Sequence, residues 1–361
     1  MGCKQEIVNR HGGDRLKNIL RAMVILLIIC GTYVLFIQYG SVPEKKSNDS
    51  EPQVSNEEAQ SGKRIHMPTS GLLSFMGKPA DEVTKKLGEP ERIDPSAYDY
   101  DWWVYNQGKD QYIQIGVLNN KVVTLFAAGN DINAKPFKIG ESTGEVFKTT
   151  QVAPFVNVEY KGNSYRFEFS EEDINTRPTV KVGKMYVQLY MDKFEGKLSS
   201  IRAFDAQTFV KQRPYEVVYR GELIKPKAVS DEKWKKIQTT SEKQILDLTN
   251  VIRVKHGLAK LEWDQPTAEV AFGHSEDMKE NNYFSHVSKK YGSLKDRLEE
   301  GHVDFQQAGE NIAYNYVDGP AAVEGWLNSE GHRKALLNSD YTHLGVGVDR
   351  KYYTQNFIKR W

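Results

Sequence analysis

The 361-residue sequence is poor in cysteine, with one at Cys3 and one at Cys30. Every residue after Cys30 therefore folds without a disulfide bond, and a structural zinc site made of thiolates is excluded there. An excess of either charge is also missing, because 49 Lys and Arg residues stand against 48 Asp and Glu residues, for a formal net charge of +1. A balance of this kind gives no indication of a nucleic-acid partner.

Long hydrophobic runs are scarce as well, except for one run near the N-terminus. Residues 19–39 read ILRAMVILLIICGTYVLFIQY, with Arg21 as their one charge. A run of about 20 apolar residues is long enough to cross a bilayer as a helix. Lys and Arg exceed Asp and Glu before the run, which places the N-terminus in the cytoplasm and the rest of the chain outside. The sequence therefore predicts a basic cytoplasmic tail at 1–18 and a transmembrane signal anchor at 19–39.

The residues around this run favour an uncleaved anchor over the alternatives. Residues 36–40 (FIQYG) lack the small-residue pattern of a signal-peptidase site. Ile29 stands where a lipoprotein signal needs a small residue before the cysteine, and Glu6 stands where N-myristoylation needs Ser or Thr. Residues 40–65 have mixed charge and almost no apolar side chains, so we predict a disordered stalk there.

Short apolar runs separated by turn residues mark a first folded domain at 66–206. Residues 80–87 (ADEVTKKL) predict a short amphipathic helix that Gly and Pro residues end. The strands predicted to follow are 102–105, 112–117 and 122–126. A second helix at 143–149 with further strands after it suggests a duplicated unit. We expect an α+β, mostly β domain, followed by a linker at 207–239.

Two strings in this domain carry a family resemblance. Residues 87–90 (LGEP) and 98–105 (YDYDWWVY) resemble the CAP-associated N-terminal domain, a module that precedes CAP domains in Firmicutes. The resemblance implies that a CAP domain follows, and it implies no catalytic or binding residues for this domain. Trp102 and Trp103 could form a platform for stacking on a carbohydrate, but adjacent strand positions favour packing in the core.

The last part of the chain, 240–361, alternates predicted helices with predicted strands. Ile245, Leu248 and Ile252 follow helical spacing near its start, and the segments 345–348 and 352–358 alternate as strands. Helices interleaved with strands predict a domain of the α/β class with α/β/α layers.

Four motifs in order give this region a second resemblance. They are AFGHSEDM with YFSH (271–286), GENIA (309–313), WLNSEGHR (326–333) and LGVGV (344–348). The set is similar to the bacterial CAP domain, named for cysteine-rich secretory proteins, antigen 5 and pathogenesis-related 1 proteins. The resemblance implies a CAP sandwich over 240–361, held outside the cytoplasm.

The resemblance also implies a cleft. Eukaryotic relatives line it with two His and two Glu that can bind a divalent metal, and His286 and Glu310 match the first His–Glu pair by motif. The second pair is not matched, because Ser329 stands where those relatives have the second Glu and Asp340 stands where they have the second His. The bacterial pattern implies His332 as the substitute, with His274 as a further candidate. The implied metal ligands are His286 and His332, supported by Glu310, and the implied ion is a divalent metal such as zinc.

Simpler roles remain open for two of these candidates and for a nearby acid. His274 falls on an apolar helix face and could be a hydrogen-bonded core residue. Glu310 could satisfy backbone amides as part of the fold. Glu324 could be a cleft acid or part of a solvated helix face. The sequence contains no Ser-His-Asp, P-loop or H-E-x-x-H signature, so the catalytic residues are unknown.

Three functions are consistent with the sequence. The first is a non-catalytic binding module at the cell envelope, taking a lipid, glycan, peptide or wall component outside the cell. The second is a metal-dependent hydrolase or protease acting on wall or secreted substrates. The third is a structural protein of the envelope or of spore assembly. The resemblance favours the first, with the membrane as the one partner that the sequence itself implies.

Overall fold

The computed structural model describes the backbone of residues 2–9 and, with side chains, residues 65–106 and 110–361. The predicted anchor and stalk lie outside these ranges up to residue 64. In the part of the chain that is described, no helix is long and apolar enough to cross a membrane. Gly2–Asn9 forms strand β1. Residues from 65 onwards belong to one compact unit.

The N-terminal domain is built on an antiparallel sheet of seven strands in the order β2-β3-β4-β5-β10-β9-β8. Its strands are β2 Arg92–Pro95, β3 Asp101–Tyr105, β4 Gln111–Leu118, β5 Lys121–Gly129, β6 Phe155–Tyr160, β7 Asn163–Glu168, β8 Thr179–Val182, β9 Met185–Asp192, β10 Lys197–Phe204 and β11 Glu216–Arg220. Its helices are α1 Ala80–Leu87, α2 Thr143–Thr149, α3 Glu171–Thr176 and α4 Ala206–Gln212. Strands β11, β7 and β6 form a separate small sheet.

The two halves of the large sheet repeat one arrangement. Pro79 precedes α1 and forms a β-bridge with Lys121 at the start of β5, while Ser142 precedes α2 and forms a β-bridge with Lys197 at the start of β10. The strands β5 and β10 then pair antiparallel at the centre of the sheet. This repetition agrees with the predicted duplication of a helix-and-strands unit.

The segment predicted as a linker is structured. It contains most of α4, all of β11 and the first two turns of helix α5, which begins at Asp231 and not near residue 240. Ser230 caps α5 by accepting a hydrogen bond from the backbone N–H of Lys233 at 3.3 Å. The first turns of α5 are mostly charged and carry only Trp234 and Ile237 as large apolar residues, too few to predict the start of the helix from spacing.

The C-terminal domain is an α/β/α sandwich around a second sheet, in the order β1-β13-β15-β14-β12. Its elements are α5 Asp231–Lys255, β12 Glu262–Trp263, α6 Gln265–Glu280, α7 Leu294–Glu300, β13 Gln307–Tyr314, α8 Gly319–Leu327, α9 Glu330–Leu336, β14 His343–Asp349 and β15 Tyr352–Lys359. Helix α6 lies directly on β14, where a Cβ at Gly345 or Gly347 would overlap the helix backbone. These two glycines therefore allow the close packing of helix on strand.

The two faces of this sheet carry different helices. Side chains alternate along a strand, and on β13 Ala308 packs with α7 while Ala313 packs in the core that includes α5 and α8. Consequently Glu310 and Asn311, which are consecutive on β13, point to opposite faces: Glu310 towards α6 and α7, and Asn311 towards α9.

The two domains share buried contacts. Arg202 of β10 is fully buried and donates two hydrogen bonds of 2.7 Å to the carboxylate of Asp318, which caps α8. Trp102 is 2% exposed and belongs to the same core as the C-terminal helices, with its ring edge-on to Tyr100 at 4.8 Å. The packing interpretation of the adjacent tryptophans therefore fits Trp102, whose ring is buried.

Candidate functional site

The central feature of the cleft is a His–Glu pair. Glu310 on β13 is fully buried, and His286, in the loop after α6, places its Nδ1 2.8 Å from Glu310 Oε1. A carboxylate can only accept, so His286 Nδ1 carries a proton and donates it. The other ring nitrogen, His286 Nε2, is buried and has no hydrogen-bond partner among the described residues. The pair thus fixes the orientation of the imidazole and leaves Nε2 without a hydrogen bond among the described residues.

Arg297 on α7 completes this pair. Its guanidinium donates to Glu310 Oε2 at 2.5 Å and to the backbone carbonyl of His286 at 2.7 Å. Burial opposes ionisation of Glu310, but the Arg297 charge and the hydrogen bond from His286 together hold the pKa of this carboxyl below its usual value. Glu310 is therefore an anion held by two donors.

His274 on α6 lies beside the same carboxylate. Its Nε2 is 3.0 Å from the carbonyl oxygen of Ser285 and 3.9 Å from Glu310 Oε1. Because a carbonyl only accepts, Nε2 carries the proton, and Nδ1 is left as a buried lone pair without a partner among the described residues. Burial lowers the pKa of His274 to about 4, against the pull of Glu310, so the imidazole is neutral at physiological pH.

His332 on α9 is buried and contacts Ser329 and Asn311. Its Nδ1 is 2.6 Å from the hydroxyl of Ser329, and its backbone carbonyl accepts a hydrogen bond from Asn311 at 3.2 Å. Asn311 points to the face of β13 opposite Glu310. The structure therefore brings His274, His286 and Glu310 together, and it places the backbone of His332 on the other side of the strand.

Sequence reasoning missed two residues of this site. Arg297 sits within a charged helix (LKDRLEE), where nothing distinguishes it from a solvated residue, yet it is 5% exposed. Asn356 lies directly opposite Glu310 in the β13–β15 register, and both polar atoms of its buried side chain lack partners among the described residues. Strand pairing, which no single-sequence pattern reveals, brings Asn356 to the site.

The predicted metal ligands do not form a ready-made metal site. Catalytic zinc needs about three protein ligands around one point, and no three of the four cleft residues bring ligand atoms within 4.8 Å of one another in the described chain. Among the described residues, the group that meets this criterion is Asp192, Glu195 and His256. There the Arg333 guanidinium already contacts Asp192 at 2.8 Å and His256 Nε2 at 3.2 Å. Metal binding by His286 and His332 stays a prediction.

Comparison with known proteins identifies the class. A family model described as CAP-associated N-terminal matches residues 76–215, and a model of the cysteine-rich secretory protein family matches residues 246–358. The chain is 99% identical over 346 residues to the uncharacterized membrane protein YlbC of Bacillus subtilis (strain 168), an alignment that covers 96% of this chain and all of that protein. The chain belongs to the cysteine-rich secretory protein family, with a CAP-associated N-terminal domain.

Further relatives support this assignment. The chain is 43% identical over 119 residues to the uncharacterized protein YkwD of the same strain, covering 32% of this chain and 46% of YkwD. An extracellular SCP-domain protein of Bacillus anthracis str. Ames has a solved structure that matches 88% of this chain and all of its own, with 44% identity and a TM-score of 0.78. A cysteine-rich secretory protein of Staphylococcus aureus Mu50 matches with 27% identity and a TM-score of 0.74, covering 82% of this chain and 98% of its own.

Proposed function

We propose that this protein is a membrane-anchored, extracytoplasmic binding module whose CAP cleft takes its ligand without catalysing a reaction. The observation that carries the proposal is that both oxygens of Glu310 are already engaged, one by His286 and one by Arg297. A carboxylate held in this way would have to give up a donor before it could act as a general base. It serves instead to position the imidazole of His286.

The cleft offers hydrogen-bonding groups to a ligand. His286 Nε2 and His274 Nδ1 are buried nitrogen atoms without partners among the described residues, and a buried polar atom gains most when a ligand supplies its missing hydrogen bond. His274 Nδ1 is an acceptor in the neutral ring, so a ligand with hydroxyl or amide N–H donors fits it. Glycans and peptides carry such groups.

Ser275, which follows His274 on α6, does not support a serine-based hydrolase. Ser275 Oγ is fully buried, donates to the carbonyl of Gly347 at 2.9 Å and contacts Thr354 Oγ1 at 2.8 Å. These hydrogen bonds connect α6 to the sheet. The hydroxyl also has no hydrogen bond to a base, which an activated nucleophile needs.

Two observations support anchoring in the membrane. The 19–39 segment has the length and charge bias of a signal anchor, and the relative that is 99% identical carries the name membrane protein. An inserted span would put residues 2–9 in the cytoplasm, whereas β1 pairs those residues with the CAP sheet. One molecule cannot adopt both arrangements at once.

The two arrangements can be separated by labelling Cys3, which lies in β1. Intact cells that express a Cys30→Ser chain would be treated with a membrane-impermeant maleimide. We expect no labelling of Cys3 until the cells are opened, with a Ser47→Cys variant in the stalk as the labelled control. Labelling of Cys3 in intact cells would contradict a cytoplasmic N-terminus.

The metal prediction is tested by zinc titration calorimetry on the full-length chain in a non-ionic detergent. The comparison is with a chain that carries His286→Ala and His332→Ala. A binding module that works without metal should give no stoichiometric zinc binding in either chain. Stoichiometric binding that disappears in the double variant would establish the cleft as a metal site and would reopen the hydrolase alternative.

A further inference from the structure

A second candidate site lies between the two domains. A cavity of about 860 Å³ is lined from the N-terminal domain by α3, Tyr190 and residues 212–216, and from the CAP domain by residues 315–317 and one face of α8. Ligand pockets in proteins commonly enclose about 300–1,000 Å³. The cavity is therefore large enough for a molecule of a few residues.

The most unusual group in this cavity is Glu324 of α8. It is 1% exposed, and its Oε1 accepts hydrogen bonds from Ser200 at 2.6 Å and Ser199 at 3.2 Å. Its Oε2 is buried and has no hydrogen-bond partner among the described residues. A buried carboxylate oxygen without a donor is costly, so this atom is the part of the cavity that a ligand would satisfy best.

Two basic side chains of the cavity are already engaged within the protein. Arg177 pairs with Asp173 at 2.6 Å, and Lys351 donates to the hydroxyl of Tyr98 and to the carbonyl of Tyr316 at 2.9 Å each. Two acidic side chains are more accessible to a ligand, because Glu172 and Glu216 line the same cavity and are exposed. The cavity thus offers carboxylates to a ligand, while two of its three basic side chains are used within the protein and Arg213 is the third.

Aromatic side chains line the same space. Tyr190, Tyr215 and Phe169 belong to the N-terminal wall, and Tyr316 belongs to the CAP wall. Tyr316 reaches over α8 at Gly325, where a Cβ would overlap its hydroxyl. Aromatic faces attract cations as well as apolar groups, so the walls and the carboxylates favour the same kind of ligand.

We propose that this interdomain cavity binds an organic cation, an ammonium or guanidinium group of a basic peptide or of a polyamine, and that Glu324 is its anionic partner. The proposal does not rest on the function assigned to the His286–Glu310 cleft. The cavity also reaches Ser329, whose hydroxyl contacts His332.

The protonation of Glu324 supplies a specific signature. Burial raises the pKa of Glu324 to about 7, and Asp192 adds to this effect, while the serine hydroxyls and Lys255 oppose it. Tyr190 on β9 is a further titratable neighbour. A cation prefers the ionised form of Glu324, so its binding should release a proton at acidic pH. The affinity should then rise by about tenfold per pH unit below the pKa and level off above it.

The test is isothermal titration of the full-length chain in non-ionic detergent at several pH values. The probes are acetyl-Lys-Tyr-Lys amide, its neutral counterpart acetyl-Gln-Tyr-Gln amide, and spermidine. We expect the basic peptide to bind more tightly above pH 7 than at pH 5, and the neutral peptide to bind at least about tenfold more weakly. A preference for the basic peptide over spermidine identifies a peptide ligand, and the reverse identifies a polyamine.

Glu324→Gln is the decisive variant, and Glu300→Gln, at an exposed acid of α7 outside the cavity lining, is the matched control. We expect the first to weaken binding of the basic peptide by about tenfold or more and to remove its pH dependence, and the second to change affinity by less than about threefold. Thermal unfolding verifies that both variants fold. Equal binding of the neutral peptide, binding unaffected by Glu324→Gln, or no binding of either cation at millimolar concentration would overturn the proposal.

Discussion

Two buried glutamates in one domain have opposite surroundings. Glu310 in the cleft and Glu324 in the interdomain cavity are 0% and 1% exposed. Glu310 faces the guanidinium of Arg297 at 2.5 Å, and its pKa is held below the usual value. Glu324 has two serine hydroxyls instead, and burial raises its pKa to about 7. Burial is common to both, so the neighbouring cation decides the charge.

The comparison separates two ways of building a site. Where the protein supplies its own cation, as at Glu310, the carboxylate is fixed as an anion and orients an imidazole. Where the hydrogen-bond donors are neutral, as the two serines at Glu324 are, the carboxyl can exchange its proton for a cation from outside. The first arrangement suits positioning, and the second suits binding linked to pH.

The largest expected effect comes from removing the built-in cation. Arg297→Met should leave Glu310 buried without its partner and should lower the free energy of unfolding at pH 7 by about 3–5 kcal/mol. Urea denaturation of the full-length chain measures the change. Arg166→Met, at an exposed pair with Glu168 3.5 Å apart, should change stability by less than about 1 kcal/mol. Equal losses in the two variants would show that Glu310 does not depend on Arg297.

The second-largest expected effect is a gain in stability, where the first was a loss. Glu324 has a folded pKa of about 7 against an ordinary value of 4.5, so its contribution to stability is present below pH 4.5 and is lost as the pH rises through 7. Glu324→Gln should therefore stabilise the protein at pH 8 by up to about 3 kcal/mol relative to wild type, and by almost nothing at pH 4. Denaturation curves at the two pH values test this, and a benefit that does not depend on pH would contradict it.

A third test concerns the neutral histidine beside Glu310. Burial lowers the pKa of His274 to about 4, so its ring should stay neutral between pH 8 and pH 5. Because the ordinary value is 6.5, the stability that the neutral ring contributes is present above pH 6.5 and is lost as the pH falls through 4. Ring NMR signals of His274 should not shift above pH 5. A titration midpoint near pH 6.5 would mean that Glu310 compensates for burial.

Much of the fold was readable from the sequence, because it depends on local patterns. The helix at 80–87 and the layered C-terminal domain follow from apolar spacing and turn residues, and the structure agrees with them. The duplicated unit was suggested by the repeated order of helix and strands, and the two halves of the large sheet repeat one arrangement. The early start of α5 at Asp231 was missed, since its first turns are mostly charged and contain only two large apolar residues, Trp234 and Ile237. Local sequence patterns predict which side chains of a segment are buried, but not where a mostly charged helix begins.

The sequence predicted only some residues of the two sites, because the sites depend on contacts between residues that are far apart in the sequence. The motifs identified His286 and Glu310 as neighbours, which the 2.8 Å contact agrees with. They could not identify Arg297, which reaches Glu310 from another helix, or the partners of Glu324, which come from β10 in the other domain. A charged residue on a helix has the same local appearance whether it faces water or a buried partner.

The smallest expected effect tests whether the hydrogen bonds from Ser199 and Ser200 stabilise the ionised form of Glu324. Ser200→Ala removes the hydrogen bond of 2.6 Å to Oε1, and Ser199→Ala removes the one of 3.2 Å. Because each hydroxyl favours the ionised form, its loss should raise the pKa of Glu324 further. Each variant should also cost about 1 kcal/mol of stability at pH 8, with the larger loss for Ser200. Denaturation at pH 8 and pH 5 measures both. A loss as large at pH 5 as at pH 8 would assign the serines to packing, and Glu324 would then owe its ionisation to Lys255 alone.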